Sequence, residues 1–125
     1  MNVPENLKYT EEHEWIQVEG DVAIVGITDY AQGELGDVVF VELPAPGDSF
    51  NKGDVAATIE AVKTVADVFV PLSGEIAAVN EELEANSELI NQDAFGEGWI
   101  LKIKLSDSSE LDGLMDAAAY QELIG

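Results

Sequence analysis

Short runs of β-branched and aromatic residues recur along the chain, separated by glycine, proline and polar residues, and they predict β-strands. The runs at 15–18 and 22–25 flank Glu19-Gly20-Asp21, which predicts a hairpin. Run 99–105 alternates large apolar residues with two lysines, as a strand with one solvated face does. The other predicted strands are 38–43, 55–60, 66–70 and 75–79.

Two short helical segments are predicted between these strands. Thr28 is suited to cap a helix that runs to Leu35, and Gly36 is suited to end it in a left-handed conformation. The polar segment 80–91 predicts helical turns that are interrupted near Asn86.

The C-terminal segment predicts one closing helix. Apolar residues from Ser109 to Leu123 follow helical spacing, and Ser108 or Ser109 is available as its cap. Short strands with glycine and proline turns and a terminal helix are typical of a small β-barrel or sandwich. We therefore predict a mainly β protein in which residues 1–125 form one domain.

Charge narrows the possible partners. The chain has 26 acidic residues against 5 lysines, without arginine, which gives a formal net charge of −21. Phosphate backbones and anionic membrane surfaces repel such a chain, so nucleic acid and membrane partners are not expected. Two interpretations of the acidity stay open: solubility in a crowded or salty cytosol, and steering toward basic patches on protein partners.

The absence of cysteine limits the chemistry of the chain, and its N-terminal residues indicate its cellular location. The chain has no cysteine, so any thiol chemistry must come from a bound cofactor. The first 15 residues contain neither a basic region before an apolar stretch nor an arginine-rich amphipathic segment, and no run has membrane-spanning length. A cytoplasmic location is expected.

Candidate catalytic and metal-binding groups are few. The single histidine, His13, has Glu11, Glu12 and Glu14 beside it, and these carboxylates could poise it as a base. More often, however, a histidine beside the start of a strand is a surface or packing residue. The acidic runs lack the ligand spacing and central glycine of a calcium loop, so we predict no metal site.

Lys63 lies between the predicted strands 55–60 and 66–70, at the tip of a hairpin. Most lysines on turns are ordinary surface charges. A lysine that a ligase modifies must, however, be reachable and must begin a flexible tether, and a hairpin tip between rigid strands meets both needs.

The segment around Lys63 resembles the lipoylation motif of the H proteins of the glycine cleavage system, in which Glu-Ser-Val-Lys is followed by Asp and then by Pro-x-Ser-Gly. Flanking segments resemble the same family, so that the similarity covers nearly the whole chain. The matching residues are Glu60, Val62, Lys63, Asp67, Pro71, Ser73 and Gly74, together with 13–15, 26–32, 35–44 and 96–99.

Two positions depart from that pattern. Ala61 stands where serine is usual, and Ala94-Phe95 stands where Pro-Tyr commonly precedes the glycine. Other carriers differ more, because biotinyl domains place the lysine between methionines and acyltransferase lipoyl domains usually have Asp-Lys-Ala. Val62 and Thr64 fit neither class.

The resemblance implies a non-catalytic, monomeric carrier with lipoic acid attached to Lys63 by an amide bond. Glu60 and Val62 would serve recognition by a lipoate ligase or lipoyltransferase. Glu14 and Asp67 would line a cleft that shelters the loaded arm, although both could equally well cap turns or keep strand ends solvated.

The implied cycle has three further partners. The arm would accept an aminomethyl group from a pyridoxal-phosphate-dependent glycine decarboxylase and deliver it to a tetrahydrofolate-dependent aminomethyltransferase. Dihydrolipoyl dehydrogenase would then reoxidise the arm. Two alternatives stay open: a relay that passes lipoate to other complexes, and a small enzyme that uses His13.

Overall fold

The computed structural model describes residues 3–125; residues 1 and 2, at the start of the N-terminal stretch considered above, lie outside it. Two antiparallel sheets form the framework, which confirms the mainly β, barrel-sandwich-like prediction. No helix within residues 3–125 has the length and apolarity needed to cross a membrane.

The larger sheet has six strands in the order β1-β2-β3-β9-β8-β5. The predicted hairpin is present as β2 and β3, with Glu14 opposite Ile27 and Glu19 opposite Val22. The strand bounds are β1 Lys8–Tyr9, β2 Glu14–Glu19, β3 Val22–Ile27, β5 Ser49–Phe50, β8 Gly74–Val79 and β9 Leu101–Leu105.

The smaller sheet has three strands in the order β4-β6-β7, and it contains the segment around Lys63. Its strands are β4 Val38–Glu42, β6 Val55–Ala61 and β7 Val65–Phe69. β6 pairs with both neighbours, so β4 and β7 are edge strands. Irregularities between Val38 and Phe40 and between Val55 and Ala57 mark β-bulges.

Residues 3–125 also contain four short α-helices: α1 Asp29–Leu35, α2 Glu82–Ala85, α3 Leu89–Gln92 and α4 Ala117–Ile124. The Thr28 side chain accepts a hydrogen bond from the Ala31 amide, and Gly36 has φ 79°, which confirms the predicted ends of α1. The gap between α2 and α3 confirms the predicted interruption near Asn86.

Apolar side chains of both sheets pack into the main core, which includes Ile16, Val25, Ile59, Ile76 and Ile103. A second, smaller cluster lies under α4 and contains Leu7, Tyr9, Trp15, Ala117 and Tyr120. The C-terminal helix is thus attached to the larger sheet through aromatic side chains rather than through the main core.

The prediction of one helix from 109 to 123 is wrong over its first half. A 3-10 helix, Ser108–Gly113, precedes an extended residue, Leu114, and α4 begins only after Asp116. The backbone amide and carbonyl of Met115 both bond to Tyr9, at 2.8 Å each, so they cannot serve a helix. Helical spacing of apolar residues did not reveal this bridge.

The predicted caps of that segment also differ. Asp107, and not Ser108 or Ser109, caps the 3-10 helix by accepting from the Ser109 amide, and Asp116 caps α4 by accepting from the Ala119 amide. β9 begins at Leu101 and so is two residues shorter than predicted. The two-residue strands β1 and β5 were not predicted, because so few residues show no periodicity.

Two glycine substitutions should have opposite effects on stability. A Cβ on Gly26 would collide with the buried Trp15 indole, whereas a Cβ on Gly33 in α1 would meet nothing within 4 Å. We expect Gly26→Ala to lower the free energy of unfolding by ~1–3 kcal/mol. Gly33→Ala should raise it by up to ~1 kcal/mol through helix propensity. Urea unfolding of both variants measures the difference, and equal effects would contradict it.

Candidate functional site

Lys63 lies in the three-residue connection between β6 and β7 and is exposed, as are Val62 and Thr64. The Ala61 amide donates to the Thr64 carbonyl at 2.8 Å, which closes the turn. The structure therefore confirms the predicted placement of this lysine at an exposed hairpin tip. Its chemical role is a separate question.

The tip rests on the segment that joins α1 to β4. The Val62 amide donates to the Asp37 carbonyl at 3.0 Å. Asn91 of α3 secures that segment: its Nδ2 donates to the Gly36 carbonyl at 2.8 Å, and its Oδ1 accepts from the Val38 amide at 2.8 Å. A side chain 28 positions after Lys63 thus supports the platform beneath the tip, and the sequence alone offered no signal for it.

Gly36 lies directly beneath the lysine side chain. A Cβ there would be 3.3 Å from Lys63 Cε and 3.8 Å from Nζ, and the backbone has a positive φ of 79°. Glycine is favoured at this position for two independent reasons: the left-handed backbone and the close approach of the lysine stem. Both reasons connect the end of α1 to the tip.

A cleft of about 460 Å³ opens beside the hairpin, between β7 on one side and the start of β2 and α1 on the other. Thr64 and Val65, the two residues after Lys63, line it. Four carboxylic acids also line it: Glu12, Glu14, Glu34 and Asp67. The volume suits a small organic group, and the carboxylates favour a guest with positive charge.

Glu14 is 1% exposed, and its carboxyl joins the two sheets. Oε2 accepts from the Phe69 amide of β7 at 2.7 Å, and the Thr10 hydroxyl bonds to Oε1 at 3.2 Å. Burial raises the pKa of Glu14 to about 8, and the nearby Glu12 adds to the rise, although both hydrogen bonds oppose it. Near neutral pH the carboxyl is largely protonated.

Asp67, the other predicted cleft residue, has a different environment. Asp67 lies in β7 opposite Thr58, and it is exposed in the same cleft. The structure thus brings Glu14 and Asp67 together, one buried and bonded, the other accessible to solvent. Glu12 and Glu34, which the family resemblance did not assign to the cleft, line it as well.

His13 lies at the cleft in a hydrogen-bonded packing arrangement. Its ring lies 4.8 Å from that of Tyr30, and Nδ1 is 2.9 Å from the Tyr120 hydroxyl. That hydroxyl is also 2.7 Å from Thr28 Oγ1, and burial raises the pKa of Tyr120. His13 has a positive φ of 67°, so these contacts hold a strained backbone and join α4 to the start of α1.

These features form one site, in which an exposed lysine on a tight hairpin lies beside a cleft lined by carboxylic acids.

The comparisons identify the family. The model of the family described as Glycine cleavage H-protein matches residues 7–125. The chain belongs to this family, as the motifs around Lys63 predicted.

Similar proteins match this chain over nearly its full length. A glycine cleavage system H protein of Bacteroides thetaiotaomicron is 56% identical over 124 residues, covering 99% of this chain and 98% of the relative. One of Bacteroides fragilis is 53% identical with the same coverage. The crystal structure of a glycine cleavage system H protein from Mycobacterium marinum has a TM-score of 0.90 at 35% identity, covering 98% of this chain and 99% of that one.

The buried carboxyl of Glu14 should make stability depend on pH. Its pKa is about 8 in the folded chain against an ordinary value of 4.5, so between these values unfolding releases a proton. We expect the free energy of unfolding, relative to Glu14→Gln, to fall as pH rises from about 5 to about 8, by an amount on the order of a few kcal/mol.

Glutamine can keep both hydrogen bonds, and subtracting the variant removes the background of the other acidic residues. Denaturant unfolding at a series of pH values measures the difference. A constant difference across that range would show that Glu14 has an ordinary pKa.

Proposed function

We propose that the chain is the lipoyl carrier of a glycine cleavage system, with lipoate joined to Lys63 through an amide bond. Family membership supports a carrier role in that system and a lipoyl cofactor. The observation that carries the residue assignment is the exposed Lys63 at a hydrogen-bonded hairpin tip, directly beside a cleft lined by carboxylates. Residues 1–125 would form one carrier domain.

The neighbourhood of Lys63 suits attachment. Glu60, the last residue but one of β6, and Val62, the first residue of the turn, are both exposed just before Lys63, where an acylating enzyme would meet them. Attachment forms one C–N bond between the lysine amine and an activated lipoyl carboxyl; the activating group leaves, and the amine loses one proton. The protein supplies an accessible amine on a rigid base, and the bound dithiolane supplies the thiol chemistry that a chain without cysteine lacks.

The cleft suits the loaded state of the arm. The aminomethyl cargo bears a positive charge, and Glu12, Glu34 and Asp67 are exposed carboxylates that would face it. Glu14 lies deeper and is bonded on both oxygens. A cation entering beside it would favour its ionised form, so binding would release a proton from Glu14 near neutral pH.

The proposed cycle places this carrier in the cytoplasm with three enzymes: a pyridoxal-phosphate-dependent glycine decarboxylase, a tetrahydrofolate-dependent aminomethyltransferase and dihydrolipoyl dehydrogenase. The carrier itself would act as a monomer and catalyse none of these reactions. The carboxylates of the cleft favour this role over a pure lipoate relay, because a neutral lipoyl group has no need of them. The packing of His13 between Tyr30 and Tyr120 likewise argues against an independent enzyme.

Substitution of Lys63 tests the attachment site. Arginine keeps the charge and length but is not a substrate for amide formation, so Lys63→Arg should abolish the gain of one lipoyl group. Lys104→Arg, at an exposed lysine of β9, is the matched control and should be fully modified. Intact-mass spectrometry after incubation with lipoate, ATP and a lipoate ligase measures both. A lipoylated Lys63→Arg chain would overturn the assignment.

Neutralising Asp67 tests the cleft. Asp67→Asn should leave lipoylation unchanged and shorten the lifetime of the loaded arm by roughly two- to fivefold, because exposed ion pairs contribute up to about 1 kcal/mol. Glu75→Gln, an exposed carboxylate on β8, should have no effect. Ammonia release from the loaded chains, followed over time, gives the lifetimes. Equal lifetimes for both variants would reject a sheltering role for Asp67.

A further inference from the structure

The exposed apolar side chains are concentrated around the hairpin tip. Within residues 3–125, seven large apolar side chains are exposed, and four of them lie on β4 or on the turn and first residue of β7. Large apolar groups exposed together mark interaction surfaces more often than isolated ones do. The four are called the tip patch: Val39, Phe40, Val62 and Val65, exposed by 57%, 48%, 75% and 58%.

Strand register places Phe40 and Val65 of the tip patch on the outer face of the smaller sheet. Phe40 is opposite Glu60, and Glu60 is opposite Val65, so these three form one row across β4, β6 and β7. Their inward-facing neighbours Val38 and Ala61 are buried. The row therefore faces solvent, with a carboxylate between two apolar side chains.

The bulge in β4 enlarges this surface. Between the pairs Val38–Ala61 and Phe40–Glu60, Val39 has no partner in β6, and both Val39 and Phe40 are exposed. A regular strand would turn one of two consecutive side chains inward. The bulge instead exposes two apolar residues in sequence beside the tip, as bulges next to functional sites often do by redirecting a side chain.

Acidic residues surround the tip patch. The exposed Asp37 lies just before β4, Glu42 ends β4 and Asp67 lies in β7, with Glu60 of β6 at the centre. The other four lysines, Lys8, Lys52, Lys102 and Lys104, lie outside β4, β6, β7 and the turn that carries Lys63. A partner surface that fits must accordingly combine an apolar centre with a basic rim.

We propose that the tip patch is the docking surface for the enzyme that acylates Lys63, and that this enzyme covers it with an apolar groove rimmed by lysine or arginine. The inference rests on the proposed lipoylation of Lys63. Because a lysine side chain is only four methylenes long, the acylating active site must close over the tip and therefore over the side chains next to it. Enzymes that act on the finished arm are not so constrained, since the arm extends their reach.

Phe40 and Val39 extend recognition beyond the residues beside the lysine. They lie more than twenty positions before Lys63 in sequence, and the β4–β6 pairing brings them to the tip. Buried aromatic side chains dominate the energetics of most protein interfaces, so Phe40 is expected to contribute most. Docking would hold the whole sheet face, and not just the flexible lysine, in register with the active site.

Kinetics of lipoylation test the proposal. The full apo chain is incubated with lipoate, ATP and a bacterial lipoate ligase, and intact-mass spectrometry gives initial rates over a range of chain concentrations. Phe40→Thr and Val65→Thr keep strand propensity and remove apolar surface. Each should lower kcat/KM for the chain by about tenfold or more, mainly through KM. Val55→Thr, at an exposed valine remote from the tip, is the matched control and should not change it.

Two further measurements separate docking from indirect effects. Acetylation of Lys63 by a small reactive ester should proceed equally in all variants, because that reaction needs no docking. Glu42→Gln should slow lipoylation at low salt, since the variant has a less acidic rim. Its lipoylation rate should also fall less steeply with added salt than that of the wild-type chain. Far-ultraviolet circular dichroism and thermal unfolding check that each variant keeps the fold.

The outcomes are distinguishable. A wild-type chain that gains no lipoyl group would overturn both the proposed function and this inference. Normal lipoylation of Phe40→Thr and Val65→Thr would overturn the inference and leave the proposed function intact. The same holds if these two variants are lipoylated normally but react poorly with the glycine decarboxylase. A wild-type dimer that dissociates in Phe40→Thr, together with faster lipoylation, would assign the tip patch to a second copy of the chain and would equally overturn it.

Discussion

The hairpin tip must project into solvent and still stay in one place, and much of the nearby structure follows from this constraint. A two-stranded ribbon on its own is marginally stable, so it needs support from outside. Asp37 supplies that support by accepting from the Val62 amide, and Asn91 holds the segment that contains Asp37. α1, α3 and β4 thus meet beneath Lys63, although none of them carries it.

The cleft imposes a second constraint, because carboxyl groups line an opening between the two sheets. Glu14 and Asp67 differ in how far their carboxyl groups are exposed to solvent. Glu14 is buried and bonded to the Phe69 amide, so it stabilises the junction of the sheets mainly in its protonated form. Asp67 is exposed and remains available to a guest. Of the two interpretations that the sequence left open for each residue, the burial of Glu14 supports a structural role, and the exposure of Asp67 supports the proposed sheltering role.

Local patterns predicted the elements well wherever neighbouring residues determine them. Thr28 and Gly36 mark the ends of α1 through side-chain capping and a positive φ, both of which can be read from residue type. Contacts between distant segments gave no such signal. Met115 leaves the helical conformation because Tyr9 bonds its backbone, and Asn91 reaches the tip from 28 positions away. The cleft shows the same limit, since only the fold brings Glu12 and Glu34 to the side of Asp67.

For recognition of a partner or guest, the placement of the acidic residues matters more than the net charge of −21. Long-range attraction between proteins is screened within about 8 Å at physiological salt, so total charge affects encounter rates more than it affects a docked complex. Carboxylates that line the cleft act at contact distance, where screening is weak, and those around the tip patch act where a partner must displace water. Solubility requires neither arrangement, because acidic residues anywhere on the surface would provide it. The location of Glu34 and Asp67 in the cleft, and of Glu60 between Phe40 and Val65, therefore favours recognition as an added role for this charge.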